Sequence, residues 1–288
     1  MRKIATKITA VLLVLIVVLS ASACSARFWD YFLGNFPDIP KEPTQEIVLT
    51  KGTAKTQTGG LADVIEEIYP TVVDIEVKYV YNQAFFNKTY TESLYEMAVV
   101  CKKDEDGVYF LTTHQGTQDG ENKAIAGSIY KFSRVEIYLT LGSKTFQCRK
   151  VQTMEEVDSV LLFVEKDRLG EYYDDIRVAK FPSPYEPEKG RTVVAFSNPY
   201  GVYKGTVTKG IISSEREIEV EGKIYTLLQT DAAMTFQSSG IVFDGEGRLL
   251  GLLFAKVSGD YEGLSFAMPI NRILDAYHGA GYLEDIVV

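Results

Sequence analysis

The feature that most limits the fold of this chain is a period-two alternation of apolar and polar residues, repeated in short segments. Val73, Ile75, Val77 and Tyr79 alternate with Asp74, Glu76 and Lys78, and Val135, Ile137, Leu139 and Leu141 repeat the pattern. Successive side chains of a strand point to opposite faces, so such segments suit half-buried strands. Val160 to Val164 is a short continuous apolar run. A second group of strand-like segments follows at 193–196, 205–213, 224–229, 240–243, 249–255 and 264–268. Asp244-Gly245-Glu246-Gly247 joins two of them with hairpin chemistry. Helical spacing occurs only at the ends, in Leu61, Val64, Ile65 and Ile68 before Pro70, and in Asn271 to Tyr277. Short strands between turns, with terminal helices, give an all-β body of barrels or sandwiches. The break from Pro182-Ser183-Pro184 to Gly190 divides the strands into two roughly equal groups.

Composition agrees and narrows the function. The 18 Tyr and 15 Phe favour strands, and the 23 Gly serve tight turns. With 46% hydrophobic and 24% charged residues, the 288-residue chain is neither disordered, collagen-like nor a polytopic membrane protein. Its net charge is -9, from 30 Lys plus Arg and 39 Asp plus Glu, with no long basic run. Nucleic-acid binding needs clustered cations, so no nucleic-acid partner is expected. Three cysteines make no disulfide framework, and no CxxC pair is present. Two histidines, His114 and His278, leave little for a multi-histidine metal site. No cofactor and no metal are expected.

The N-terminus reads as an address. Arg2, Lys3 and Lys7 precede an apolar run from Ile8 to Leu19, too short for a comfortable membrane span. Small residues then lead to Cys24 in Ser20-Ala21-Ser22-Ala23-Cys24, which marks a secretory signal over 1–23. The cysteine directly after Ala23 resembles a bacterial lipoprotein box, although Ala21 stands where Leu is usual. That resemblance implies lipidation of Cys24 and a membrane lipoprotein facing outside the cytoplasm. Ordinary cleavage after Ala23 and an uncleaved anchor are the plainer readings. Residues 24–60 read as a tether, with Phe28, Trp29, Tyr31, Phe32 and Phe36 at its start and Pro37, Pro40 and Pro43 after them. Removing 1–23 removes three cations and no acid, leaving 27 Lys plus Arg against 39 Asp plus Glu. So acidic a body is repelled by an anionic bilayer and would be held near it by the anchor.

Three residues stand where chemistry can occur. His114 ends the strand-like stretch Gly107 to Thr113, Asp158 precedes the run 160–164, and Ser239 sits at a bend before a strand. The order His, Asp, Ser is that of chymotrypsin and not of subtilisins or α/β-hydrolases. A serine hydroxyl becomes a nucleophile when an imidazole takes its proton, and a carboxylate holds that imidazole in the right tautomer.

The flanking words carry a resemblance. Gly107 to His114, Asp158-Ser159-Val160-Leu161-Leu162, Ser197-Asn198-Pro199-Tyr200-Gly201, Thr206 to Ser213, Gln229-Thr230-Asp231-Ala232-Ala233 and Leu264 to Pro269 follow one another from His to closing helix. This series resembles the HtrA/Deg-like serine peptidases of trypsin fold, over about 61 to 277. The resemblance implies two six-stranded antiparallel β-barrels, over 61–180 and 181–288, with the active site in the cleft between them. It implies His114 as general base, Asp158 as its orienter and Ser239 as nucleophile. It also implies a specificity pocket based on Ala233 and walled by Phe254, Ala255, Leu264 and Phe266. With no acid at Ala233, cleavage after a small or medium apolar residue is expected. Many HtrA-like proteins carry a PDZ domain; few residues follow the closing helix here, so a chain without one is expected.

The pattern breaks at the nucleophile. The family writes N-P-G-N-S-G-G where this chain has Thr235-Phe236-Gln237-Ser238-Ser239-Gly240-Ile241. The N–H groups of Gln237 and Ser239 would form the oxyanion hole, and a side chain at Gln237 makes the backbone angles open to glycine costly. Losing one such donor costs about 100- to 1000-fold in turnover. The hole is then collapsed, or forms only when substrate binds. A serine endopeptidase acting on proteins or peptides is one expectation, and a pseudopeptidase that binds peptides or partners is the alternative. The small G-S-G word before the histidine strand is also replaced, by Met97 to Cys101.

Other signals are weaker. Cys101 and Cys148 either pair or stay as buried thiols. The aromatic insert Tyr79 to Tyr95 reads as a protruding hairpin or a partner surface, and Glu215 to Glu221, with five charges, as a solvated loop.

Overall fold

Helix α1 (Leu61–Ile68) is set by its ends. The Gly60 N–H donates to Asp63 Oδ2 at 3.2 Å in the first turn. Pro70 lies in a tight turn, Tyr69–Thr71, and Thr71 Oγ1 donates to Ile68 O at 2.7 Å. In the computed structural model, the structure describes residues 60–83, 88–125, 128–234, 239–254 and 263–288, all in one compact unit, Ala54–Val288. The signal segment, Cys24 and the tether up to residue 59 lie outside the described residues. Among the described residues no helix is long and apolar enough to cross a membrane.

Seven antiparallel strands form the N-terminal sheet: β1 (Val72–Gln83), β2 (Thr89–Lys103), β3 (Gly107–Thr113), β4 (Lys123–Ile125), β5 (Ser128–Leu141), β6 (Lys144–Met154) and β7 (Ser159–Glu165). Their order is β1-β2-β3-β7-β6-β5-β4, and β1 pairs with β5 as well as β2. Seven strands stand where the resemblance implies six; the extra one, β4, is three residues long and pairs with β5. The alternation read in the sequence is real: Val73, Ile75 and Val77 of β1 meet Ile137 and Leu139 of β5 in one core.

The C-terminal strands are β8 (Thr192–Ser197), β9 (Thr206–Val220), β10 (Lys223–Thr230), β11 (Gly240–Asp244), β12 (Leu249–Leu253) and β13 (Ser265–Pro269). They close into a six-stranded barrel in the order β10-β13-β12-β11-β8-β9. One face of these strands fills a small core with Val193, Ala195, Ile212, Leu228, Val242 and Ala267. A short helix, α2 (Lys166–Leu169), follows β7, and α3 (Ile270–Gly279) closes the chain. The buried residues of α3 are Ile270, Ile273, Leu274 and Tyr277, a single helical stripe.

The apolar runs that lack alternation have a physical reason. On β2, Ala98 and Val100 face the N-terminal core, whereas Met97, Val99 and Cys101 face a shared core. That shared core also takes Leu161 of β7, Phe196 and Phe243 of the barrel, α1 through Ile68, and α3. A strand buried on both faces reads as a continuous apolar run. Phe196 sits edge-on to both Tyr69 and Phe243, with centroids 5.4 and 5.7 Å away.

Several local expectations are settled by these faces. Glu215 to Glu221 is not a loop: it pairs in β9 with β10 up to Val220, and only Glu221 and Gly222 turn. Its acids alternate with Ile218 and Val220, which pack on the shared core. Cys101 and Cys148 are both buried and free, because they belong to different cores. The aromatic insert is a hairpin, with Tyr81 opposite Tyr90; residues 84–87 are outside the described residues. Asp244 caps the β11–β12 turn, its Oδ1 accepting the Glu246 and Arg248 N–H groups at 2.9 Å.

Gly251 of β12 shows how tight the barrel is. A Cβ there would lie 2.3 Å from the Met268 carbonyl oxygen, which is backbone and cannot turn away. Gly251→Ala is expected to cost about 1–3 kcal/mol by urea unfolding. Gly279→Ala, with nothing within 4 Å of the added atom, serves as the control and should show no such loss.

Candidate active site

The β3–β7 ladder brings His114 to Asp158. Its pairs run from Gly107 opposite Glu165 to Thr113 opposite Ser159. One step beyond, the His114 N–H donates to the Asp158 carbonyl at 3.0 Å, so residues far apart in sequence become neighbours. Asp158 is 2% exposed and left-handed, with φ 47° and ψ 46°. Asp is among the few residues that visit this region readily. The bend lets Asp158 Oδ1 accept the Gln115 N–H at 2.9 Å.

The turn after His114 is held from several sides. Its own Thr117 N–H donates to the His114 carbonyl at 2.8 Å. Tyr79 Oη of β1 donates to the Gly116 carbonyl at 2.8 Å, and Lys150 Nζ of β6 donates to the Thr117 carbonyl. Desolvation pulls the Lys150 ammonium below its ordinary range, with Asp119 acting against it. Burial, helped by Glu96, Tyr81 and Glu92, pushes the Tyr79 phenol up, so it stays a donor.

Beneath the turn lies Glu96 of β2, 4% exposed. A Cβ on Gly116 would fall 1.6 Å from Glu96 Oε1, so the carboxyl occupies the space a side chain there would need. Glu96 Oε2 lies 3.4 Å from the hydroxyls of both Thr112 and Thr113. Burial first, and then the charge of Asp158, push the Glu96 carboxyl from 4.5 up to about 8.

Ser239 stands immediately before β11 and is 3% exposed. Its Oγ donates to the Met97 carbonyl of β2 at 2.9 Å and accepts the Met97 N–H. The same carbonyl accepts from Thr112 Oγ1 at 2.8 Å. Thus Ser239 from the barrel and Thr112 from the histidine strand meet on one backbone oxygen. A second tie runs between the sheets: Asn198 Nδ2, after β8, donates to Asp74 Oδ1 of β1 at 2.8 Å. Desolvation raises the Asp74 carboxyl, with Lys204 and Asn198 opposing.

The family profile described as "Trypsin-like peptidase domain" matches residues 97–252, more than half of the chain. This chain belongs to the trypsin-like peptidase domain family. It is similar to "Serine protease Do-like HtrB" of Bacillus subtilis, 30% identical over 265 residues, or 84% of this chain and 54% of that protein. It is also similar to "Probable periplasmic serine endoprotease DegP-like" of Hahella chejuensis, 28% identical over 173 residues, covering 59% and 34%. A third relative, "Serine protease HtrA-like" of Staphylococcus aureus, is 29% identical over 186 residues, covering 61% and 22%. The chain therefore spans about half or less of the length of these relatives.

Within this trypsin-like domain the residues expected to form a specificity pocket divide. Ala233 is exposed and its carbonyl accepts Thr208 Oγ1 at 2.8 Å. Leu264 is exposed and Phe266 largely buried. Phe254 is buried, its ring 4.7 Å from that of Tyr225, and its N–H donates to the Phe266 carbonyl. Ala255 and Gln237 lie outside the described residues. His278, at the end of α3, has Nε2 2.8 Å from the Leu283 carbonyl. Sequence reasoning missed Glu96 and Tyr79. The signal for Glu96 was faint but present: Leu94, Ala98 and Val100 share its strand face and pack on the N-terminal core, so an acid at 96 interrupts an inward row.

Asp158 carries both a strained backbone and a buried acceptor. Asp158→Ala removes the acceptor of the Gln115 N–H, about 1–3 kcal/mol, and adds about 1–2 kcal/mol for alanine in the left-handed region. Asp158→Asn, which tolerates that region, is expected to lose less. Urea unfolding of the two variants checks the order.

Proposed function

We propose that this chain is an exported serine endopeptidase that cleaves proteins or peptides through His114, Asp158 and Ser239. The observation that supports it best is the neighbourhood these residues share: the backbone N–H of His114 donates to the backbone carbonyl of Asp158 at 3.0 Å, and Ser239 donates to the Met97 carbonyl that also holds Thr112 of the histidine strand. In this reading the N-terminal sheet (61–180) and the C-terminal barrel (181–288) form the two barrels of the fold, with the active site in the cleft between them. Gln237 and Ser239 supply the oxyanion-hole N–H groups, which form or tighten on substrate binding. Ala233, Phe254, Ala255, Leu264 and Phe266 belong to a pocket for a small or medium apolar side chain. The domain is tethered to the membrane by a lipid on Cys24, after removal of residues 1–23.

The mechanism follows from the groups present. Asp158 holds the imidazole of His114, which takes the proton of Ser239 as the hydroxyl attacks the scissile carbonyl. Because that proton lies on the Met97 carbonyl, Ser239 must turn from β2 toward His114 before it attacks. The same bond, together with Gln237 in place of glycine, favours the second reading, a pseudopeptidase that binds peptides without cleaving them.

A fluorophosphonate probe separates the two. Labelling of the wild type, lost in Ser239→Ala, is expected. Absence of labelling even with added peptide would rule the peptidase out. Substituting Asp158 by Asn should slow labelling by a factor on the order of 10,000, as loss of the imidazole's orienting carboxylate does.

A further inference from the structure

Glu96 belongs to no part of the proposed triad, yet it is only 4% exposed and lies beneath the histidine turn. It fills the space under Gly116 and lies against the hydroxyls of Thr112 and Thr113. The proton bookkeeping at Thr112 is informative. A threonine hydroxyl has one proton, and that of Thr112 is directed at the Met97 carbonyl at 2.8 Å. With that proton on the shorter bond, only Thr113 is left to donate to Glu96 Oε2, at 3.4 Å, and the Thr112 oxygen can accept from a protonated carboxyl; one long donor is little support for a buried carboxylate. A carboxylate in that place would be desolvated and repelled by Asp158, and Lys150 gives its bond to the Thr117 carbonyl.

We propose that Glu96 is a positioning residue whose protonated carboxyl seats the turn carrying His114, and that its ionisation loosens that turn and switches the site off on the alkaline side. The proposal rests on the peptidase reading for its effect on activity. Its effect on the turn does not. The ionisable groups that act on Glu96 are Asp158 before β7 and Tyr79 on β1; the turn it underlies carries His114 and is held by Lys150 of β6, and Glu92 of β2 acts on Tyr79. Of these, Asp158 is the source of repulsion, and Tyr79 stays neutral because burial raises it.

The sign follows from linkage. With its carboxyl raised from 4.5 to about 8 in the folded protein, Glu96 binds a proton on folding between those values. Its contribution is complete below about pH 4.5 and is lost as pH rises through about 8. The first measurement is urea unfolding of the wild type and Glu96→Gln across that range. The wild type should lose stability relative to the variant as pH rises, and a difference that does not change with pH overturns the proposal. The second is the rate of fluorophosphonate labelling. Above pH 8 the wild type should fall about tenfold per unit, as for one essential proton, while Glu96→Gln stays level. Glu96→Ala should be slowed at every pH, with Glu96→Gln recovering most of the loss. The same alkaline limb in wild type and Glu96→Gln defeats the positioning role.

If the wild type does not label at any pH, the peptidase reading has failed, and hydrogen exchange decides the fate of Glu96. The protection factor of the Gln115 N–H, which donates to Asp158, should then fall above pH 8 in the wild type and hold in Glu96→Gln. A protection factor that holds in both overturns the proposal.

Discussion

Burial of the stretch Glu96 to Cys101 of β2 on both faces is the constraint on which the rest of this molecule depends. One face closes the N-terminal core through Ala98 and Val100, and the other enters the core shared with the barrel through Met97, Val99 and Cys101. That stretch has no face left for water. Its backbone must be satisfied by neighbouring strands and by whatever crosses from the barrel, because a buried unpaired amide or carbonyl costs several kcal/mol. At Met97 the crossing group is the Ser239 hydroxyl. The position of the candidate nucleophile thus follows from strand packing before any chemistry is considered.

The same strand connects the candidate site to the protein interior. Met97 binds Ser239, and its neighbour Glu96 lies beneath the histidine turn. The turn is also fixed by Tyr79 from β1 and Lys150 from β6, so three strands hold the turn that follows His114. Such a site is rigid on the histidine and aspartate side. The burial of Glu96 next to Asp158 is tolerable because one of two adjacent carboxyls can stay neutral, as the rise of Glu96 to about 8 reflects.

Much of the fold was legible in the sequence, for reasons that can be named. The alternation of Val73, Ile75 and Val77 survives because β1 has one core face and one outer face. The stripe Ile270, Ile273, Leu274 and Tyr277 is visible because a surface helix buries one side. Glu215 to Glu221 was misread because charge density was weighed above the alternation of Ile218 and Val220. Glu96 was missed because the run Met97 to Cys101 is apolar on both faces and masks the inward register of the acid before it.

By itself the sequence determined an all-β body with helices at its ends and a His, Asp, Ser order in the words of a trypsin-like domain. Those properties are local, since strand periodicity and short motifs are written in neighbouring residues. Only the tertiary structure decided that Cys101 and Cys148 sit apart, that Ser239 rests on Met97, and that Glu96 lies under Gly116 beside Asp158. Each of these depends on contacts across strands distant in the chain. The register that creates such contacts is set by the joint packing of whole sheets, not by any one segment.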